Sequence, residues 1–149
     1  MNKEATMRLK NKRGIASIEF ALILPILLVL LFGIIELSLI LYNKAMLTNA
    51  SREGARAGIV YRADPSTGIY SPITDSEIEA VVNHYLANHL VTFGGPKTAT
   101  TTITRVGTSP GGELTVSVTF AYRFLVLPNF ISTLINPINL NALTVMRFE

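Results

Sequence analysis

KRGIASIEFALILPILLVLLFGIIEL, residues 12–37, decides the architecture. From Phe20 to Ile35 it contains no charged residue. The wider apolar run, Ile15 to Tyr42, holds 28 residues, or about 42 Å as a helix at ~1.5 Å per residue. That exceeds the roughly 30 Å of a bilayer core. The run therefore reads as a transmembrane helix, interrupted only by Glu19 near its start and Glu36 near its end.

The charges outside the run set its direction. Residues 1–14 carry Lys3, Arg8, Lys10, Lys12 and Arg13 against Glu4 alone. A basic flank of this kind stays in the cytoplasm, so residues 1–14 read as a cytoplasmic leader and everything beyond Tyr42 as exterior. The net charge of +3 comes from this flank, and the remainder is near neutral. No groove-reading motif or aromatic–basic interleaving accompanies it, which argues against nucleic acid as a partner. The absence of cysteine excludes a disulfide framework and thiolate metal sites. A cleavable secretory signal would have a shorter apolar core followed by a small-x-small site. The length of this run favours a retained anchor.

The helical pattern continues without proline to about residue 60. Ala50, Gly54 and Gly58 recur at every fourth position and form a smooth ridge for helix packing. Two readings stand side by side: contact between subunits, or contact with the chain's own globular part. Arg52, Glu53 and Arg56 can pair three residues apart on a solvated face. Asn49-Ala50-Ser51 matches a glycosylation acceptor, but its place on a helix near the membrane makes it a chance match.

Asp64, Pro65, Gly68 and Pro72 then mark a loop. Thr74-Asp75-Ser76-Glu77 is a capping box, opening an amphipathic helix through Ile78, Val81, Val82, Tyr85, Leu86 and His89 that ends near Leu90. His84 and His89 are badly spaced for sharing one metal. After Gly94-Gly95-Pro96 the period changes. Thr98–Val106 is a β-branched strand, and residues 108–112 form a hairpin loop. Leu114, Val116, Val118, Phe120, Tyr122 and Phe124 alternate with smaller or polar residues, the pattern of a sheet covered on one face. Pro128 ends that strand, Phe130–Ile135 reads as a short helical turn closed by Pro137, and Leu140–Phe148 as a third strand. The expected fold is α+β. A long N-terminal membrane helix (15–42, continuing to about 60) leads to an exterior domain over 61–149, with one or two helices on a three-stranded antiparallel sheet.

Nothing in the sequence assembles a catalytic set. Paired carboxylates, a nucleophile with its base, a metal cluster and a phosphate-binding loop are all lacking, so the chain reads as a non-enzyme with no cofactor. A charge inside a membrane helix costs on the order of 2–3 kcal/mol or more at the bilayer centre, and such a residue generally has a partner or a task. Glu36 reads as a boundary carboxylate that reaches the headgroups. Glu19 stands in a sharper context: basic residues, then Gly14, then Ile15-Ala16-Ser17-Ile18-Glu19-Phe20, then apolar helix.

That arrangement resembles a class III, prepilin-type signal. The resemblance implies cleavage between Gly14 and Ile15 by a membrane prepilin peptidase, which leaves Glu19 fifth and Phe20 sixth, as in pilins of the tight-adherence (Tad) system. The match extends through Glu19-Phe20-Ala21-Leu22-Ile23-Leu24-Pro25, through Gly33 to Glu36, and through Asn49-Ala50-Ser51-Arg52-Glu53-Gly54-Ala55-Arg56-Ala57-Gly58. Together these look like the TadE-like family of pilus-assembly proteins; Leu143–Arg147 is a weaker match to its closing strand. The resemblance implies a minor pilin or pseudopilin in the bacterial inner membrane, with lipid, the prepilin peptidase, other Tad pilins and the assembly platform as partners. By the same analogy, Glu19 of one subunit neutralises the Ile15 amine of a neighbour. The competing reading is an uncleaved single-pass anchor carrying an exterior binding domain or scaffold.

Overall fold

A computed structural model of the chain describes residues 3–63, 68–92, 97–124, 126 and 138–148, with side chains from residue 14 onward. The readings at Asp64, Pro65, Gly94-Gly95-Pro96, Pro128, Phe130–Ile135 and Pro137 lie outside these residues.

Helix α1 runs unbroken from Lys3 to Gly58, 56 residues. Its apolar half is built from Leu, Ile and Ala, and leucine and alanine are strong helix formers. Pro25 lies inside it, where its missing N–H forgoes one backbone bond. The helix ends as Ile59 N–H reaches Ala55 O (3.2 Å) and Val60 N–H reaches Ala57 O (3.4 Å). The chain then turns extended in the β-branched run that follows.

A two-stranded ribbon comes next, β1 (Tyr61–Ala63) against β2 (Tyr70–Pro72), with Tyr61 opposite Pro72. This corrects the reading of a plain loop. Three-residue strands are too short to show the alternation by which a strand is recognised.

Helix α2 spans Asp75–His89 and carries the expected capping box. Thr74 N–H donates to Glu77 Oε2 (2.7 Å), and Glu77 N–H donates back to Thr74 Oγ1 (3.4 Å). These bonds hold the Glu77 carboxyl below its ordinary value, the backbone bond from Thr74 contributing most. Ile78, Val82 and Leu86 form its buried face. His89, read as part of the apolar face, is exposed and stacks on Tyr85 with ring centres 4.2 Å apart.

Strands β3 (Thr100–Val106), β4 (Glu113–Tyr122) and β5 (Ile138–Arg147) form one antiparallel sheet in the order β3-β4-β5. The fold is α+β as expected, with β3 starting two residues later and β5 two residues earlier than the sequence pattern placed them. In β4 the inward residues Leu114, Val116, Val118, Phe120 and Tyr122 are buried. Phe124 lies just past the strand and is half-buried. Helix α1 packs against α2, β4 and β5, so among the described residues the sheet is covered on one face. Its outer face is rich in hydroxyls: Thr100–Thr119, Thr102–Ser117 and Thr104–Thr115 pair across β3 and β4. Arg105 ties the start of α2 to β3, donating to Asp75 Oδ1 (2.8 Å) and to Ile73 O (2.7 Å).

The core draws Leu47, Ala50 and Ala55 from α1, Ile78, Val82 and Leu86 from α2, and the inner face of the sheet, with Phe148 closing the distal end. Among the described residues, none of α1 below Glu36 belongs to this core. Leu22 is 69% and Ile26 64% exposed, so the helix has one end embedded in a domain and a long apolar end outside it.

Candidate functional site

The embedded face of α1 is mostly small and apolar, yet three buried positions on it are polar: Glu36, Asn43 and Ser51. Spacings of seven and eight residues keep them on one side of a helix of about 3.6 residues per turn. Each holds a different part of the domain. Glu36 Oε1 accepts from the Tyr122 hydroxyl at 2.6 Å, and Oε2 accepts from Val126 N–H at 2.7 Å. Asn43 makes a two-way bond with the residue after the end of α2: its Nδ2 donates to Val91 O and its Oδ1 accepts from Val91 N–H, both at 3.0 Å. The Ser51 hydroxyl meets the Thr144 hydroxyl of β5 at 2.8 Å.

Glu36 is therefore no boundary carboxylate reaching for headgroups, as the sequence reading had it. It is 2% exposed and bound inside the chain. A buried carboxylate is tolerated when hydrogen bonds compensate its lost hydration, and Tyr122 and Val126 supply them. Burial, chiefly, with the bond to Glu36 and its charge adding, pushes the Tyr122 phenol above its ordinary range. The sequence offered one signal for the pair. Tyr122 is the last inward residue of β4, and its ring carries a polar tip that needs a partner when buried. Asn43 carried no comparable signal.

Among the described residues, the domain's buried contacts on α1 begin at Glu36. From Ile15 to Ile35 the bare helix is roughly 31 Å long at ~1.5 Å per residue, close to the ~30 Å of a hydrocarbon core.

The residues singled out near the N-terminus lie elsewhere. Gly14, Ile15, Glu19 and Phe20 are all exposed on the bare helix, Ile15 by 54% and Phe20 by 60%. A methyl group built on Gly14 would meet nothing within 4 Å. Glu19 has no bonding partner among the described residues. Among the described residues the two carboxylates of the apolar run differ sharply: Glu36 has bonding partners and Glu19 has none.

The Ala50–Gly54–Gly58 ridge faces the chain's own domain. A Cβ on Gly54 would stand 2.6 Å from Val82 Cγ2, and one on Gly58 would stand 2.4 Å from Leu114 Cδ2 and 2.6 Å from Ile78 Cδ1. Absent side chains let α2 and β4 approach α1 closely. Glu53 and Arg56 pair on the solvated side at 2.6 Å, a bond that holds the Glu53 carboxyl below its ordinary value. Among the described residues, no three histidine, cysteine or acidic side chains gather where they could hold a metal.

An apolar helix of bilayer length, bare of its own domain and standing below a small α+β head, suggests a membrane anchor. Residues 14–56 of this anchor and its extension match the family model described as TadE-like protein. The match takes in the opening motif from Gly14 and the Asn49–Gly58 motif as far as Arg56. No curated protein and no solved structure matches the chain. The TadE-like match over residues 14–56 and the apolar helix together support a membrane protein associated with a Tad-type pilus.

Proposed function

We propose that the chain is a minor pilin or pseudopilin-like component of a Tad-type pilus assembly and secretion apparatus. A prepilin peptidase cuts between Gly14 and Ile15, and the mature subunit assembles through its N-terminal helix. It spans the inner membrane once, its basic N-terminus inside and its α+β domain outside. Other Tad pilins and the assembly platform are its partners.

One observation carries this reading: Glu19 keeps a carboxylate on the bare helix with nothing in the described chain to pair with, while Glu36 has its partners built in. The cut would free an α-amino group on Ile15, whose ordinary pKa of about 8 leaves it largely protonated at neutral pH. Ile15 and Glu19 are four residues apart on one helix face, so a row of neighbouring helices presents amines and carboxylates alternately. At ~4 Å and an effective dielectric of ~20, such a pair attracts by about 4 kcal/mol before desolvation is counted. That is comparable to the penalty of holding Glu19 in lipid. The carboxylate's cost in the membrane becomes a bias toward the assembled state.

The test is the intact mass of the protein extracted from membranes, alongside its amount in sheared surface fractions. The expected product begins at Ile15. Gly14→Ala should retain residues 1–14, because the added methyl obstructs the peptidase. Glu19→Ala should be trimmed normally but incorporated poorly. A chain from native membranes that still begins at Met1 overturns the proposal and leaves an uncleaved anchor.

A further inference from the structure

Where α1 passes from the bare segment into the domain, a groove of about 490 Å³ opens between Ile34, Ile35, Ser38, Leu39 and Tyr42 on the helix and Val91 beyond α2. We propose that this groove seats an acyl chain of an outer-leaflet lipid, and that the domain rests on the bilayer surface through it.

Three observations select lipid as the occupant. The first is continuity. The groove's lower wall, Ile34 and Ile35, is the last turn of the bare helix, with Ile34 64% exposed. With Ile15–Ile35 across the hydrocarbon, Tyr42 stands about 10 Å above Ile35 at ~1.5 Å per residue, in the interfacial layer where tyrosine is enriched.

The second is polar satisfaction. Backbone facing lipid must have its N–H and C=O groups bonded within the protein. Val91 is non-helical, yet Asn43 takes both its N–H and its C=O. Nearby, Val126 N–H is taken by Glu36. Two of the three buried polar side chains of α1, Glu36 and Asn43, thus act where the head approaches the membrane.

The third is the lining. Among the described lining residues, Ser38 is the one aliphatic hydroxyl, and it donates to Ile34 O at 2.8 Å, back into its own helix. The other described lining side chains are hydrocarbon and the Tyr42 phenol. Such a surface gains from contact with acyl chain and offers a water molecule few of the polar partners that it needs.

The inference rests on the membrane-spanning reading of residues 15–35, and the experiment separates the two. The chain has no tryptophan, so single replacements are clean reporters. Ile26→Trp, Val91→Trp and Val106→Trp place one in the middle of the bare helix, one in the groove and one at the distal end of β3. Each variant is put into nanodiscs at one copy per disc, with lipids brominated either high or low on the acyl chain. The expected result is that low bromines quench Ile26→Trp most, high bromines quench Val91→Trp most, and neither quenches Val106→Trp. A nitroxide on Val91→Cys should be more accessible to oxygen than to a water-soluble nickel complex, a readout that needs no bulky indole. If Ile26→Trp is quenched while Val91→Trp is not and the nitroxide favours nickel, the groove is wet and the inference falls. Protection of Val91 that appears only at several copies per disc would assign the groove to a second copy and also overturn it. Loss of quenching at Ile26→Trp would instead refute the membrane-spanning reading itself.

Discussion

Tyr122→Phe removes a single oxygen from the junction between helix and head. The ring stays, and with it the edge contact to Phe124, centres 6.2 Å apart and planes at 84°. What disappears is the proton held 2.6 Å from Glu36 Oε1. A hydrogen bond to a charged group contributes about 1.5–3 kcal/mol, and leaving the acceptor buried without its donor costs at least as much. Both residues are almost fully buried, so water cannot substitute without opening the site. The expected loss is about 2–3 kcal/mol in the unfolding free energy of the domain, a large part of the ~5–15 kcal/mol typical of one. Glu36→Leu removes the acceptor at similar volume, and paired with Tyr122→Phe it should show a coupling of at least ~1.5 kcal/mol, since the two groups share one bond. The pH dependence gives a second reading. The folded phenol is held above its ordinary value of about 10 by burial first and by Glu36 second. The folded chain therefore keeps a proton that the unfolded chain gives up. The associated stability is complete below about pH 10 and declines as pH rises further, by up to ~1.4 kcal/mol per pH unit for one proton. Urea unfolding of the detergent-solubilised chain, followed by tyrosine near-ultraviolet circular dichroism from neutral pH to about pH 11, measures both effects. The other four tyrosines are common to parent and variant, so the difference isolates Tyr122. A Phe variant as stable as the parent at neutral pH, and declining as steeply above pH 10, would refute the account of Glu36 as a carboxylate held by this hydroxyl.

The same unfolding assay should separate the glycines of α1. Gly58→Ala forces a methyl to within 2.4 Å of Leu114 and 2.6 Å of Ile78 and should cost about 1–3 kcal/mol by overpacking, whereas Gly33→Ala, with nothing within 4 Å, should leave domain stability unchanged. Thr74→Ala removes the side-chain acceptor at the start of α2 and should cost about 1 kcal/mol, while Thr74→Ser should retain most of it. Hydrogen exchange confined to the first turn of α2 is the measurement that locates this loss.

Much of the fold was legible because its signals are local. The capping box is set by residues three apart, and the inner face of β4 by strict alternation, so each could be read without knowing what lies across from it. The unbroken apolar run likewise marked the helix. What escaped depends on contacts between distant segments. Glu36 and Asn43 look alike in sequence, polar residues at the outer end of a span. Their partners Tyr122, Val126 and Val91 lie roughly fifty to ninety positions away, and no periodicity connects them. The ridge at Ala50, Gly54 and Gly58 showed that something packs closely, because small residues leave space, but space does not identify its occupant. Only the positions of Ile78, Val82 and Leu114 do that. The β1–β2 ribbon failed to register for a different reason, being too short to have a period.

The polar contacts of α1 also bear on how deep the anchor sits. An apolar helix against an apolar sheet can slide by a turn at modest cost, since hydrophobic contact is non-directional. Hydrogen bonds are not so tolerant, because they weaken steeply with distance and angle. Sliding α1 by one turn, about 5.4 Å, would break the bonds of Glu36, Asn43 and Ser51 together and leave buried polar groups unpaired along the whole interface, at about 1–3 kcal/mol for each. The register is therefore fixed by the three acting jointly, and with it the point at which the helix leaves the head. That point leaves the bare segment close to the thickness of a bilayer core. In the pilin-like reading, the same register sets how far Glu19 stands from the head. Copies whose heads are level then present their carboxylates at one depth, where an amine on a neighbouring helix can meet them.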